Sequence, residues 1–432
     1  MKINQRFKNL ISDGILYIIA TGLNRGYFLI ISPLLLTFLS VKEYGVFTLT
    51  FSLSQMFIPF LTLSGTAGIL REGSLNIKVG VFLLEKFIYI VFFNTLLLLL
   101  LYYFFGYWLE NWIFYSIIFG SLNGINELFL SFFRTVNTKK TYFLVTLSRI
   151  ILIIIGILVA KSLKFSLEST FILLIFLQSF LILWLILNLL QLYIKKYNKT
   201  SIEISSVLKY TIFIIPHGLV LWIINSSDKL IIKALLGNEK LGIYSIAYTI
   251  ASLQLLINSG IGIALPQIIY KNYIYWLKEN IRLRVITFLF LISIFLFIII
   301  VMGIKIDKQY FHLLIEHEKI LKIINFILPG LFLVGVYQYY SIYIFYHKKT
   351  KNIFYAGVGV ALVNLFLNYF LIKKYGILGA AYTTFISYII YIFIIVLLVM
   401  KIEKKLKMIY KDGIYIFVYT FLLYAIIWIS SK

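Results

Sequence analysis

Polar residues in this chain come in short clusters separated by long apolar runs. The runs cover residues 14–39, 44–70, 86–105, 112–133, 142–160, 170–194, 208–236, 242–270, 285–304, 322–346, 353–372 and 376–400. A helix needs about 20 apolar residues to cross a bilayer core of about 30 Å, so the pattern predicts twelve transmembrane helices. A shorter run at 414–429 predicts a thirteenth span or an interfacial helix. The polar breaks are short, which leaves no room for an inserted soluble domain. The break from Lys305 to Lys322 carries four lysines and three acids and reads as a short interfacial helix.

Composition sharpens this picture. Of 432 residues, 62% are hydrophobic and only 13% are charged, and the mean hydropathy is +0.98. That balance excludes a soluble domain and marks an all-α polytopic membrane protein. The net charge of +24 would point to nucleic acid in a soluble protein. Here the cations sit between spans, where they set topology, and no nucleic-acid partner is expected. Cysteine is absent, which excludes disulfides and thiolate metal sites.

With the N-terminus in the cytoplasm, the inner segments hold 25 of the 40 Lys and Arg residues and the outer ones hold 12. The excess of inner cations supports that orientation. The basic start, MKINQRFKN, then leads into an uncleaved first helix.

The two halves of the chain also resemble each other. Tyr44-Gly45-Val46-Phe47-Thr48-Leu49-Thr50-Phe51-Ser52-Leu53 matches Leu241-Gly242-Ile243-Tyr244-Ser245-Ile246-Ala247-Tyr248-Thr249-Ile250 in hydrophobic class, aromatic position and small polar residues, at a constant offset of 197. Duplication across six spans keeps both copies in one orientation. It therefore predicts two six-helix lobes related by a pseudo-two-fold axis along the membrane normal. The expected divisions are residues 1–200 and 201–400 for the lobes, with 401–432 as a basic linker and the extra segment. All five prolines, Pro33, Pro59, Pro216, Pro266 and Pro329, fall within spans and predict bent helices.

Charges inside spans are costly and are candidates for function. Arg25 lies deepest, beside Asn24 in the first span, followed by the expected bend at Pro33. Arg149 and Lys229 are the other embedded bases, and Glu127 and Asp228 are the embedded acids. Each has a structural alternative. Glu127 shares a helix face with Arg134, seven residues on, or pairs with Arg149. Lys229 snorkels to the surface while Asp228 partners a base on another helix. Asn225, Gln254, Asn258, Asn364 and Asn368 either line a polar cavity or bond helix to helix. The aromatic load, 39 Phe and 33 Tyr, reads mainly as lipid-facing and interfacial surface. No Walker-type loop, HExxH, GxSxG or aspartate cluster for a metal diphosphate occurs. No cofactor or enzymatic activity is expected, and transport must be facilitated, ion-coupled or driven by a partner.

Several stretches resemble the polysaccharide-repeat (O-antigen type) flippases of the multidrug/oligosaccharidyl-lipid/polysaccharide exporter superfamily, whose fold is MATE-like. They are Gly22-Leu23-Asn24-Arg25 with Pro33, Glu43-Tyr44-Gly45, Trp222-Ile223-Ile224-Asn225-Ser226-Ser227-Asp228-Lys229, Leu241 to Tyr248, and Tyr375-Gly376-Ile377-Leu378-Gly379-Ala380-Ala381-Tyr382 after Asn364 and Asn368. The resemblance implies a bacterial cytoplasmic (inner) membrane protein. It would move an undecaprenyl-diphosphate-linked oligosaccharide from the inner to the outer leaflet by alternating access. Arg25, Asn24, Arg149 and Asn225 then line the cargo cavity, with the arginines facing phosphate. Asp228 and Glu127 serve ion coupling, with H⁺ or Na⁺, or a contact between lobes. Implied partners are the lipid-linked oligosaccharide, membrane lipids, and polymerase and other polysaccharide-assembly proteins. A MATE-type drug or cation exporter is the first alternative, disfavoured because embedded bases outnumber acids. A membrane-embedded polysaccharide polymerase or ligase is the second, disfavoured by the lack of a long outer loop.

Overall fold

A computed structural model describes residues 21–24, 26–106, 110–136, 138–197, 203–271, 273–276, 278–314, 316–347, 349–403 and 406–430. Arg25 and the basic N-terminal segment lie outside the described residues, as do residues 198–202 of the mid-chain linker. The described residues form helices and the turns between them, as expected for an all-α polytopic membrane protein. In chain order the helices are α1 Gly26–Leu36, α2 Val41–Leu61, α3 Gly65–Leu75, α4 Ile77–Phe105, α5 Asn111–Thr135, α6 Lys139–Ser162, α7 Leu167–Trp184, α8 Gln191–Tyr197 and α9 Ile204–Ile212. They continue as α10 Ile215–Ala251, α11 Leu253–Lys271, α12 Tyr273–Trp276, α13 Glu279–Ile306, α14 His317–Tyr346, α15 Thr350–Tyr375, α16 Ile377–Glu403 and α17 Leu406–Ser430. Among the described residues, eleven helical stretches are long and apolar enough to cross a membrane, one of them Lys411–Ile429 within α17.

Local chemistry explains where the helices break. The α2 start is a capping box: the Glu43 amide donates to Ser40 Oγ (3.3 Å) and the Ser40 amide donates to Glu43 Oε2 (2.9 Å). The predicted span 44–70 is two helices. Pro59 sits at the end of α2, and Leu63 and Ser64 take left-handed backbone conformations (φ 45° and 52°) before α3 starts. The long α10 is interrupted at Gly237 (φ 82°, ψ 178°), a conformation open to glycine and to few other residues. Among the described residues, the segment after α13 holds no separate interfacial helix. A π-helical turn at Asp307–Phe311 leads into a loop, where Asp307 accepts from the Leu313 and Leu314 amides (3.1 and 2.9 Å) and from His317 Nε2 (3.0 Å).

The chain forms two compact units. One comprises Met1–Tyr27, of which 21–24, 26 and 27 are described, and Val46–Trp222. The other comprises Phe28–Gly45 and Ile223–Lys432. In the first unit α3 packs on α4 and α5, and α6 packs on α7. Its core holds Phe87, Phe129, Phe132, Phe133 and Tyr142. In the second unit α14 is the hub, packed on α11, α13, α16 and α17, and α15 lies on α16.

Gly45 and Gly242, which the internal repeat aligns, meet directly within this second unit. A Cβ on Gly242 would stand 2.0 Å from the Val41 carbonyl oxygen, and one on Gly45 would stand 2.7 Å from the Gly242 nitrogen. The tightest backbone crossing of the repeat therefore tolerates only glycine.

The aromatic residues are less peripheral than the sequence reading expects. The largest fully buried side chains are all tyrosine or phenylalanine, including Tyr44, Tyr142, Tyr244, Tyr339, Tyr340 and Tyr343. Buried phenols find polar partners: Tyr44 shares a hydrogen bond with Ser32 (2.6 Å) and donates to Thr249 (3.2 Å). Other large side chains, such as Phe92, Phe93, Leu96, Tyr103 and Phe104 on α4, are exposed as a lipid-facing surface.

Candidate functional site

Two buried polar clusters hold the embedded charges among the described residues, one in each unit. In the first, α5 brings Asn123, Asn126, Glu127 and Arg134 to one face, because residues three and four apart stack along a helix. From α6 comes Arg149, 5% exposed. Its Nη1 donates to Asn24 Oδ1 (2.9 Å) and its Nη2 to Asn123 Oδ1 (2.6 Å). Its guanidinium carbon lies 5.1 Å from the centre of the Tyr27 ring, a cation–π contact. Asn24 in turn donates through Nδ2 to Glu127 Oε1 (2.8 Å). Asn24 thus stands between base and acid and touches both.

Arg134 has different partners from those expected. Its Nη2 donates to the Tyr142 hydroxyl (2.8 Å), which also shares a hydrogen bond with Thr21 (3.2 Å). The cluster leaves polar valence over. Asn126, 2% exposed, has neither side-chain atom bonded to the described residues, and Arg149 Nε and Asn123 Nδ2 are likewise unmatched. Buried polar atoms in native folds are nearly always paired, so these point to a polar guest or to water.

The second cluster is built from the two stretches of α10 on either side of Gly237, together with α15 and α16. Asp228, 2% exposed, accepts from the Tyr244 hydroxyl and from the Lys229 amide (2.8 Å). Lys229, expected to snorkel to the surface, is half-buried, and its Nζ lies 5.0 Å from the centre of the Tyr248 ring. Next to it, the Tyr388 hydroxyl donates to Asn225. Ser227 donates to Asn364 Oδ1 (3.2 Å), which also accepts from Asn368 Nδ2 (3.0 Å), while Asn364 Nδ2 donates to Ser387 Oγ (3.0 Å). Asn368 is fully buried and its Oδ1 is unmatched among the described residues. Hydroxyl, amide and carboxylate oxygens gathered in this way suit a proton or a hard monovalent cation.

The structure therefore brings Asn24, Glu127 and Arg149 together and places Asn225 with Asp228. Gln254 and Asn258 bond helix to helix instead: Asn258 Nδ2 donates to the Leu331 carbonyl (2.7 Å) and Ser293 donates to Gln254 Oε1 (3.0 Å).

A third cluster escapes the sequence reading. Arg282 on α13 and Asp412 on α17 form a buried ion pair, with Nε donating to Oδ2 at 2.6 Å and Nη2 to Oδ1 at 3.3 Å. The Tyr340 hydroxyl adds a third bond to Asp412 (2.6 Å). Both charges lie in segments that read as loop, near Lys278 and Lys411, and nothing in their local pattern marks them as buried. Nearby in the chain, on α12, burial and the Glu403 carboxylate that its hydroxyl meets hold the Tyr273 phenol well above its ordinary pKa. Among the described residues, no group of three or more His, Cys, Asp or Glu side chains is arranged to hold a metal.

Comparison with known proteins fits this architecture. A family model described as polysaccharide biosynthesis protein matches residues 112–261. No curated protein sequence matches the chain. Among solved structures, the chain is similar to the lipid II flippase MurJ in an inward closed conformation, with TM-score 0.61 and 19% identity, covering 96% of this chain and 98% of that one. It is also similar to an inward-facing multidrug resistance MATE family transporter of the MOP superfamily, with TM-score 0.63 and 12% identity over 88% of this chain and 96% of the other. An outward-facing transporter of that description gives TM-score 0.62 and 15% identity over 93% and 96%. At these identities the likeness establishes the fold, which is that of MurJ and the MATE transporters.

Proposed function

We propose that this chain, which joins the MurJ/MATE fold to a polysaccharide-biosynthesis sequence signature, is a flippase for an undecaprenyl-diphosphate-linked oligosaccharide repeat unit. The cargo is an O-antigen or related surface-polysaccharide unit. It passes from the cytoplasmic to the outer leaflet of the bacterial inner membrane by alternating access, with the protein's N-terminus in the cytoplasm. The observation that carries the reading is Arg149. It is a buried guanidinium whose two described hydrogen bonds go to neutral amide oxygens, those of Asn24 and Asn123, and one turn along α5 from Asn123 the buried Asn126 has no described partner at all. A cation held in this way keeps its attraction for an anion, and the planar fork suits phosphate oxygens.

In the mechanism, Arg149 meets the diphosphate, with Arg25 proposed as a second phosphate-facing cation. Asn24, released from its bridge between Arg149 and Glu127, follows the occupancy of the site. Asn123 and Asn126 take hydrogen bonds from or to the cargo's polar groups. Asp228 takes up the coupling ion, H⁺ or Na⁺, with Asn225, Asn364 and Asn368 as neighbouring oxygens. Polymerase and other assembly proteins receive the cargo afterwards.

Complementation of flippase-deficient cells tests the reading. Arg149→Lys is expected to retain partial surface polysaccharide and Arg149→Gln to lose most of it, both at near-normal protein abundance. Normal polysaccharide from the Gln variant contradicts cargo binding at Arg149. Loss of the protein itself makes Arg149 a folding residue.

A further inference from the structure

A pocket in the first unit, lined by none of the residues of the Arg149 cluster, lies where the start of α5 approaches the start of α7. It is an open concavity of about 410 Å³, a volume within the range of about 300–1,000 Å³ typical of small-molecule sites. Trp112 and Phe171 lie buried in its lining, and Tyr115, half-buried with its ring centre 5.0 Å from that of Phe171, is its accessible ring. Glu110, Asn111 and Glu168 are exposed on the rim, and Asn111 Nδ2 donates to Glu168 Oε1 (3.3 Å) across the two helices. None of the described lining residues is basic. In a chain with 40 Lys and Arg against 16 Asp and Glu, two acids on the rim of one aromatic-lined pocket are conspicuous. Glu168 does sit in the first turn of α7, where a carboxylate meets the helix dipole. That accounts for one acid. It does not account for the aromatic lining, or for an amide reaching Glu168 from another helix.

We infer that Glu110, Asn111, Trp112, Tyr115, Glu168 and Phe171 form a binding pocket for a neutral or amino pyranose. A pyranose has one face of C–H bonds, which lies against the electron-rich face of an aromatic ring, and a rim of hydroxyls that donate to carboxylates and exchange hydrogen bonds with an amide. The pocket supplies both halves of that pattern. Its two carboxylates repel a uronic acid and attract a protonated amine, so the site discriminates by charge. The role rests on the flippase reading above. In the proposed orientation the segments before α5 and α7 lie on the outer side, so the pocket receives a sugar of the cargo after the headgroup has crossed. It thereby favours repeat units that present a neutral or amino sugar there.

The test uses the purified full-length protein in lipid nanodiscs and saturation-transfer NMR with methyl glucoside, methyl glucosaminide, methyl glucuronide and tetramethylammonium as probes. Glucoside and glucosaminide should show transfer, and glucuronide should bind at least tenfold more weakly. Glu168→Gln and Tyr115→Leu should each weaken glucoside binding at least tenfold while the protein stays monodisperse. If Tyr115→Leu misfolds, the exposed Glu168→Gln decides. Absence of pyranose transfer, equal binding of glucuronide, or an unchanged Glu168→Gln overturns the proposal. Displacement of the sugar by tetramethylammonium also overturns it, since the site is then an aromatic cage for cations. Arg149→Gln, expected to lose most export, should leave glycoside binding intact. Failure of the pocket and failure of the flippase reading are thus read separately.

Discussion

The buried pair of Arg282 and Asp412 makes a quantitative prediction about α17, the helix beyond the twelve-span plan. Asp412 is fully buried and Arg282 is 2% exposed. Asp412→Asn keeps the shape but takes from the buried guanidinium the carboxylate charge that two of its hydrogen bonds reach, and weakens the acceptor of the Tyr340 hydroxyl. Breaking a buried pair from one side costs about 3–5 kcal/mol. At about 2–4 °C per kcal/mol for a unit of 150–250 residues, the midpoint of thermal unfolding should fall by roughly 6–20 °C. The double variant Arg282→Met with Asp412→Leu removes both charges and should recover most of the loss, because a desolvated pair replaced by apolar groups is about neutral. The assay is heat treatment of detergent-solubilised protein, with the surviving monodisperse fraction read by size-exclusion chromatography. A single variant within about 2 °C of wild type, or a double variant as unstable as the single, refutes the reasoning.

Three further outcomes are expected. Gly242→Ala forces a Cβ to 2.0 Å from the Val41 carbonyl, so the protein should be lost from the membrane, while Gly413→Ala, whose Cβ meets nothing within 4 Å, should be tolerated; blotted membrane fractions decide. Asp228→Asn should keep folded protein but lose the dependence of transport on an imposed H⁺ or Na⁺ gradient, and an unchanged response rules out coupling there. Reporter fusions after Lys199 and after Lys240 should report opposite sides of the membrane, with Lys199 cytoplasmic; the same side for both overturns the proposed orientation.

Much of the fold was legible because transmembrane helices announce themselves by length and hydropathy alone. The breaks were harder to read. The turn at Thr62-Leu63-Ser64 had only the Ser64-Gly65 pair to mark it, and it closes through the Ser64 amide donating to the Pro59 carbonyl (3.0 Å) with Leu63 and Ser64 in left-handed backbone. Gly237 was the exception: the runs 208–236 and 242–270 part there, and the glycine between them takes the backbone that interrupts α10.

For the candidate sites, rarity was the guide. Arg149, Glu127 and Asp228 stand out in apolar sequence, and Asn24 stands out beside Arg25. Their neutral partners do not. Asn123, Tyr27, Tyr244 and Tyr388 resemble dozens of other polar or aromatic positions, and only packing selects them. Arg282 and Asp412 failed for the opposite reason. They lie among lysines, so a buried pair looked like one more solvated loop.

The central claim is that the protein moves a lipid-linked diphosphate oligosaccharide and that Arg149 carries its charge. The direct measurement is reconstitution into liposomes with a fluorescent undecaprenyl-diphosphate oligosaccharide, followed by the time course of its accessibility to a membrane-impermeant quencher. Wild type should equilibrate the lipid between leaflets. Loss of a charge-assisted contact of about 1.5–3 kcal/mol predicts that Arg149→Gln slows transfer by roughly 10- to 150-fold, with Arg149→Lys between the two. Transfer by Arg149→Gln at the wild-type rate, or a wild-type protein that leaves this lipid in place while moving cationic drugs, contradicts the account.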